Sequence, residues 1–185
     1  MKTIDPELQK KFDIANKLFK EKKYKDSAKK YEDILIENPN SISIKNNLAL
    51  CYEGLREFEK AVKLYKECID VKPDPLFFNN IGRVYFTVKD YKNSCIYLEK
   101  SLSMNNKQIN SIELLTASYN QLNLPDKIIK LLENLIDNFP KNRFLNGCLG
   151  KNLLKANRHA EGLYYLRLGY GMVELNENKE INIIA

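Results

Sequence analysis

Residues 45–73 read KNNLALCYEGLREFEKAVKLYKECIDVKP, which is two amphipathic segments joined near Gly54 and closed by Pro73. Apolar residues recur in each segment at helical spacing, so the stretch predicts a helix, a turn and a second helix. Because proline cannot continue a helix, Pro73 is expected to end the unit. One helix pair cannot bury its apolar stripe by itself, and the stretch therefore predicts further pairs packed against it.

The same pattern recurs along the chain at a nearly constant period. The small or first apolar residue early in each second helix forms a series with spacings of 34, 33, 34 and 34: Ser27, Ala61, Ser94, Ile128 and Gly162. The small residue of each first helix forms another series with the same spacings: Ala15, Ala49, Gly82, Thr116 and Gly150. Because two independent series agree, the sequence predicts five consecutive helix pairs.

A helix pair of about 34 residues, with small, aromatic and proline residues at fixed positions, resembles the tetratricopeptide repeat family. The family pattern is W-x2-L-G-x2-Y, then A-x3-F, then P. It is matched most closely by Phe78-x2-Ile81-Gly82-x2-Tyr85, and by Leu48-Ala49-x2-Tyr52 with Ala61-x3-Tyr65 and Pro73. Small residues let helices approach, and aromatic residues fill the wedge between them. The resemblance covers roughly residues 6–178 and implies an all-α fold, a right-handed α-solenoid of about five antiparallel helix pairs.

The predicted domain organisation is a single repeat array over residues 1–178, with repeats at about 6–40, 41–74, 75–107, 108–141 and 142–175. The last helix is expected to run through RHAEGLYYLRLGYGMVELN, with Gly162, Gly169 and Gly171 inside it. An apolar tail, residues 179–185, follows with Ile181, Ile183 and Ile184. Folding back of this tail over the last repeat and docking of the tail on a partner both remain open.

The charged residues indicate solvated helix faces. The formal charge of +6 comes from 30 basic and 24 acidic residues, and lysine alternates with acidic residues in each repeat. A nucleic-acid groove would concentrate arginine and aromatic residues along one track. No signal-peptide-like or membrane-spanning apolar stretch occurs, so we expect a cytoplasmic protein without nucleic-acid or membrane partners.

The residues that could carry chemistry do not form a recognisable site. His159 is the single histidine and stands where the family places an aromatic packing residue. The four cysteines are scattered without a C-x-x-C pair, which favours buried free thiols: Cys51, Cys68, Cys95 and Cys148. No phosphate-binding glycine loop is present in the sequence. We therefore expect no catalytic residues, no metal, no cofactor and no enzyme activity.

In the tetratricopeptide repeat family the first helix of each pair lines a concave groove, and the resemblance implies that this groove binds a peptide here. Asn47 and Asn80 stand at the same repeat position, and Asn16 stands one helical turn further along its own repeat. Such amides can donate to and accept from a peptide backbone. The implied peptide-binding residues are Phe12, Asn16, Asn47, Leu50, Asn80, Arg83, Phe86, Asn120 and Lys151.

A narrower form of the resemblance does not fit the chain. Repeat proteins that hold the C-terminal carboxylate of heat-shock chaperones use lysine and arginine side chains beside asparagines. This chain offers Asn16 and Asn47, but it has Phe12, Leu76 and Asn80 where the cations should stand. Without those charges a terminal carboxylate would be desolvated with little compensation.

The sequence thus predicts a non-catalytic protein–protein interaction module that binds a peptide segment of a partner in its groove and scaffolds a complex. Two alternatives remain open. One is that the repeats are the substrate-recognition part of a larger enzyme, such as a transferase. The other is a self-assembling scaffold, a homo-oligomer formed through an uncapped C-terminal repeat.

Overall fold

The computed structural model of the chain describes residues 6–175 and 181–183. This part of the chain contains ten α-helices, one 3₁₀ turn at Ile136–Asn138 and two short strands. The helices are α1 (Pro6–Lys20), α2 (Tyr24–Glu37), α3 (Ile42–Gly54), α4 (Phe58–Val71), α5 (Pro75–Thr87), α6 (Tyr91–Met104), α7 (Ile109–Gln121), α8 (Pro125–Leu135), α9 (Arg143–Lys155) and α10 (His159–Tyr170). The strands are β1 (Val173–Leu175) and β2 (Ile181–Ile183).

The turn inside each helix pair has the same backbone geometry. One residue of each turn has a positive φ, between 55° and 64°, and these residues recur at the repeat period: Lys22, Arg56, Lys89, Asn123 and Asn157. The next backbone N–H donates to a carbonyl oxygen five residues earlier, as from Lys23 to Leu18 and from Arg158 to Leu153. This is the Schellman arrangement, which closes a helix and turns the chain back.

The chain forms two compact units, Met1–Val84 and Tyr85–Ala185. In the first unit α1 packs on α2, α2 on α3 and α3 on α4. In the second unit α6 packs on α7, α8 on α9, and α9 on α10. The single array over residues 1–178 stays a prediction.

Small residues lie where the helices of the first unit approach one another. Ala15, Ala49 and Ala61 have no exposed surface, as the repeat series predicts. Ser27 is equally buried, and its hydroxyl donates a 2.9 Å hydrogen bond to the carbonyl oxygen of Ala15 on the preceding helix. The thiol of Cys51 lies 3.3 Å from that hydroxyl oxygen and donates to it. The buried polar group is therefore satisfied within the interface.

The predicted last helix is too long. The helix α10 ends at Tyr170, and Gly171 follows as its C-cap with a φ of 68°. Arg143 lies against this glycine, since a Cβ placed there would come within 2.7 Å of the Arg143 Nη2 atom. A left-handed residue stops the α-helical hydrogen-bonding pattern, which is the usual role of a glycine at this position.

The chain after α10 forms strand instead of helix. The strand β1 pairs antiparallel with β2, and Val173 lies opposite Ile183. The backbone of Ile181–Ile183 therefore belongs to a strand pair, whereas Ile184 lies outside the described residues. Within residues 6–175 and 181–183, no helix is long and apolar enough to cross a membrane.

Candidate functional site

The first unit carries six of the nine candidate binding residues, on its first helices α1, α3 and α5. They are Phe12, Asn16, Asn47, Leu50, Asn80 and Arg83. The second unit carries Phe86, Asn120 and Lys151.

A buried tyrosine links two of the candidate asparagines. Tyr31, on α2, is 1% exposed, and its hydroxyl donates a 2.6 Å hydrogen bond to Oδ1 of Asn16 on α1. The Nδ2 atom of Asn47, on α3, donates a 3.3 Å hydrogen bond to the same hydroxyl oxygen. Burial raises the pKa of Tyr31 to about 12, while the hydrogen bond from Asn47 opposes the rise. The tyrosine therefore stays protonated and donates at neutral pH.

The hydrogen-bond chain continues from Asn47 to its neighbour. Nδ2 of Asn46 donates to Oδ1 of Asn47 across 3.3 Å. Oδ1 of Asn46 is buried and has no hydrogen-bond partner among the described residues. We call this chain of side chains, Asn16, Tyr31, Asn47 and Asn46, the amide chain.

The apolar candidates of the first unit lie beside the amide chain or on its helices. The ring of Phe12 packs edge-on against the ring of Tyr31, with 5.9 Å between centroids and 67° between planes. Leu50 is half-buried on α3, three residues beyond Asn47. Because residues three apart share a helix face, Asn47 and Leu50 present an amide and an apolar group side by side.

Arg83 has a fixed acidic partner. Its Nη1 and Nη2 atoms donate to the two carboxylate oxygens of Glu53, at 2.5 and 2.9 Å. The hydroxyl of Tyr65 also donates to Glu53, at 2.6 Å, and burial is the main cause that raises the pKa of this tyrosine. The positive charge that the sequence assigns to the groove at Arg83 is therefore offset by Glu53.

Asn80 differs from Asn47 in exposure, although the two stand at the same repeat position. Asn80 is 7% exposed, whereas Asn47 is half-buried. Asn47 is therefore the more accessible of the two side chains. The binding role of both residues stays a prediction.

In the second unit, Asn120 and Lys151 both lower the pKa of Cys148. Burial raises the pKa of the Cys148 thiol, and the charge of Lys151 and a hydrogen bond with Asn120 oppose that rise. Asn120 and Lys151 are exposed, on α7 and α9, whose helices are adjacent. The third candidate, Phe86, packs its ring edge-on against Tyr91 with 5.4 Å between centroids.

The structure does not assemble a metal-binding cluster in the part of the chain that it describes. No group of three or more histidine, cysteine, aspartate or glutamate side chains could hold a metal ion among these residues. His159 is exposed as the first residue of α10, so it does not pack as the aromatic residue that the repeat pattern places there.

Tyr31 and Tyr65 contact candidate site residues through their hydroxyl groups, although neither is among the predicted binding residues. Both occupy the position where the family pattern has phenylalanine, as in Ala61-x3-Tyr65. A buried tyrosine needs a hydrogen-bond partner for its hydroxyl, so tyrosine in place of phenylalanine was the available signal.

Comparisons with known proteins agree with the repeat pattern. The family model described as "Tetratricopeptide repeat" matches residues 42–75 and 77–108. Over 112 residues the chain is 27% identical to "Hsp70-Hsp90 organizing protein 3" of Arabidopsis thaliana. The aligned region is 59% of this chain and 20% of that protein. It is also 27% identical over 138 residues to "Hsp70-Hsp90 organising protein" of Plasmodium falciparum, covering 73% of this chain and 54% of the relative. The chain thus spans about a fifth to a half of these relatives' length.

Solved structures share the fold at low sequence identity. MamA of Desulfovibrio magneticus RS-1 superposes with a TM-score of 0.76 at 14% identity, covering 91% of this chain and 96% of that chain. YrrB, described as "a TPR protein with an unusual peptide-binding site", superposes with a TM-score of 0.70 at 12% identity, covering 87% and 84%. These matches confirm the predicted all-α solenoid fold of stacked helix pairs.

Proposed function

We propose that the chain, which matches the tetratricopeptide repeat family over residues 42–75 and 77–108 and shares the fold of solved repeat proteins, is a non-catalytic interaction module that binds a peptide segment of a partner protein and scaffolds a complex. The binding surface is formed by the first helices of the first unit's repeats. The observation that carries this proposal is the amide chain, in which two partly exposed asparagines from different helices are held by one buried tyrosine. Side-chain amides at a helix surface suit the backbone of an extended peptide.

The relatives are named as organising proteins of heat-shock chaperones, but the residues here favour a partner other than a chaperone carboxylate. Phe12 packs on Tyr31, Leu76 is 50% exposed and apolar, and Asn80 is buried and neutral. A carboxylate at these positions would lack cationic partners. The proposed partner segment is therefore recognised through its backbone and apolar side chains.

A tagged chain used as bait tests this function. Wild type and the Asn16→Ala, Asn47→Ala double variant are incubated with cytosolic extract, and the captured proteins are identified by mass spectrometry. Asn106→Ala is the matched control, because it removes the same side-chain amide from an exposed turn outside the first helices. Proteins captured by wild type and the control, but lost by the double variant, are the expected result. Equal capture by all three baits would exclude the groove.

Self-association through the fifth helix pair is a second proposal. On α10, Leu163 and Tyr170 are 49% and 63% exposed, and Met172 just beyond the helix is 59% exposed. Leu163 and Tyr170 are seven residues apart and so share one helix face. A solution mass that rises with concentration in wild type, but not in Leu163→Glu, would support a homo-oligomer. A constant monomer mass would contradict it.

We also propose a cytoplasmic location. Three of the four cysteines, Cys51, Cys68 and Cys95, are buried free thiols, and Cys148 is also free. Free thiols persist most readily in a reducing compartment. Microscopy of the tagged chain in its native cell tests the location.

A further inference from the structure

The amide chain has a defined hydrogen-bond direction. The Tyr31 hydroxyl lies 2.6 Å from a side-chain atom of Asn16, a separation that suits O–H···O and is short for N–H···O. The Asn16 atom that faces Tyr31 is therefore its oxygen, and the single hydroxyl hydrogen of Tyr31 is committed to it. Tyr31 can then only accept from Asn47, which places the Asn47 nitrogen toward Tyr31.

This direction determines what the two asparagines have left to offer a partner. The oxygen of Asn16 accepts from Tyr31, and the oxygen of Asn47 accepts from Asn46. Within residues 6–175 and 181–183, both hydrogens of the Asn16 Nδ2 group and one of the Asn47 Nδ2 group remain unused, because the other Asn47 hydrogen is donated to Tyr31. Both side chains are partly exposed. They therefore present N–H donors, together with one unused lone pair on each amide oxygen.

We propose, building on the proposed function, that Tyr31 is a positioning residue that orients Asn16 and Asn47 as donors to backbone carbonyl oxygens of an internal, extended segment of the partner. An internal segment offers neutral carbonyl acceptors at regular intervals. A C-terminal carboxylate would need cations, and the side chain beside the amides is the aromatic Phe12. The guanidinium of Arg83 is already bound by Glu53.

The next repeat shows that the tyrosine hydroxyl at this position can hold other chemistry. Tyr65 lies 34 residues after Tyr31 and is also fully buried. Its hydroxyl donates to the carboxylate of Glu53, which binds Arg83, and not to an amide. The tyrosine at this repeat position thus holds a pair of neutral amides on α1 and α3 in one repeat. In the next repeat it contacts the ion pair of Glu53 on α3 and Arg83 on α5.

The variant Tyr31→Phe tests the positioning role. It keeps the ring that packs on Phe12 and removes only the hydroxyl. The matched control is Tyr52→Phe in the same unit, where the lost hydroxyl donates to Glu32. The probe is a pool of random peptides selected on the wild-type chain, displayed once as internal segments and once with free C-termini.

We expect the internally displayed pool to bind wild type and Tyr52→Phe equally, and to bind Tyr31→Phe about tenfold more weakly, the effect of one misplaced hydrogen-bonding group. A second variant, Asn16→Asp, keeps an oxygen to accept from Tyr31 but replaces the free donors by a carboxylate. It should bind the pool more weakly still. Urea unfolding of each variant checks that the fold is retained.

A spectroscopic readout separates positioning from a general loss of structure. In nitrogen-15-labelled protein without peptide, Tyr31→Phe should shift the side-chain amide signals of Asn16 and Asn47, and Tyr52→Phe should leave them in place. Unshifted signals in Tyr31→Phe would overturn the positioning role.

The binding results distinguish this inference from the proposed function. If no selected peptide depends on Asn47 for binding, the proposed function itself is overturned. Peptides that depend on Asn47 but bind Tyr31→Phe as well as wild type would overturn only the positioning role. Selection confined to free C-termini, or undiminished binding by Asn16→Asp, would overturn the assignment of the asparagines as donors to internal carbonyl groups.

Discussion

The guanidinium group of Arg83 binds both carboxylate oxygens of Glu53, which lies 30 residues earlier in the chain. Glu53 is on α3 and Arg83 is on α5, so the pair joins the first helices of two successive repeats. The side chain of Glu53 is 11% exposed and that of Arg83 is 43% exposed. This end of the first unit's candidate site is therefore a compensated ion pair and not a free cation.

Replacing Glu53 by Gln is expected to lower the free energy of unfolding by about 1 kcal/mol, because Arg83 and Tyr65 lose a charged acceptor. Urea unfolding measures the loss. Glu21→Gln is the control, since Glu21 pairs with Lys23 on the exposed surface. This control should match wild type, and an equal loss in both variants would contradict the prediction.

Two glycines of the fifth helix pair should respond to alanine in opposite directions. A Cβ at Gly169 would lie 2.6 Å from the Cα atom of Gly147, so Gly169→Ala should destabilise the chain by about 1–3 kcal/mol through overpacking. A Cβ at Gly147 would find its nearest neighbour at 4.0 Å, which is ordinary contact. Gly147→Ala should therefore stabilise by up to about 1 kcal/mol through helix propensity. Thermal unfolding checks the two signs, and a change of the same sign in both variants would refute the packing account.

Tyr31 should make stability fall at high pH. Burial raises its pKa from 10.0 to about 12 in the folded chain. Below the lower value the hydroxyl is protonated in both states, and its contribution is fully present. As the pH rises from about 10 to about 12, the unfolded chain releases this proton first, so the free energy of unfolding decreases.

Tyr31→Phe removes this contribution, and its free energy of unfolding should fall less steeply than that of wild type over the same pH range. Urea unfolding at a series of pH values gives the difference between the two curves. Tyr170→Phe is the control, because it removes a hydroxyl from a residue that is 63% exposed. Parallel curves for wild type and Tyr31→Phe would show that the Tyr31 hydroxyl is not perturbed.

The cysteines should differ in reactivity with iodoacetamide. Burial raises the pKa of both Cys68 and Cys95 to about 11, and it also raises the pKa of Cys51. All three are buried, whereas Cys148 is partly exposed. Because alkylation requires an accessible thiolate, Cys148 should be labelled first in the folded chain. Mass spectrometry locates the label, and all four should react in urea. Labelling of Cys95 as fast as Cys148 without denaturant would contradict the burial.

The helix pairs could be predicted because their signals are local. The small residues Ala15, Ala49 and Ala61 recur at the repeat period, and all three are fully buried where helices meet. The contacts within the candidate site could not be predicted from the repeat pattern. Repeat positions identify Asn16 and Asn47, but they do not show that Tyr31 lies between them and fixes which atom of each amide faces inward.

The end of α10 marks where local signals were insufficient. Helix-forming residues continue past Gly171, and the sequence alone predicts that the helix continues with them. In the folded chain Arg143, 28 residues earlier, lies on Gly171, and residues 173–175 pair with 181–183. The contact of Arg143 with Gly171 joins residues 28 apart, whereas the strand pair joins residues 6 to 10 apart. A helical repeat pattern carries no information about either contact.

The order and repetition of the helices follow from the amino-acid pattern, since apolar spacing, small residues and turn-forming positions each act within a few residues. The partners of polar side chains depended on packing. Arg83 binds Glu53, and Asn47 binds Tyr31, only because α2, α3 and α5 bring those groups within hydrogen-bond distance. A hydrogen bond needs a donor–acceptor distance correct to within a few tenths of an ångström and a nearly linear angle at the hydrogen, and only the packed helices set these.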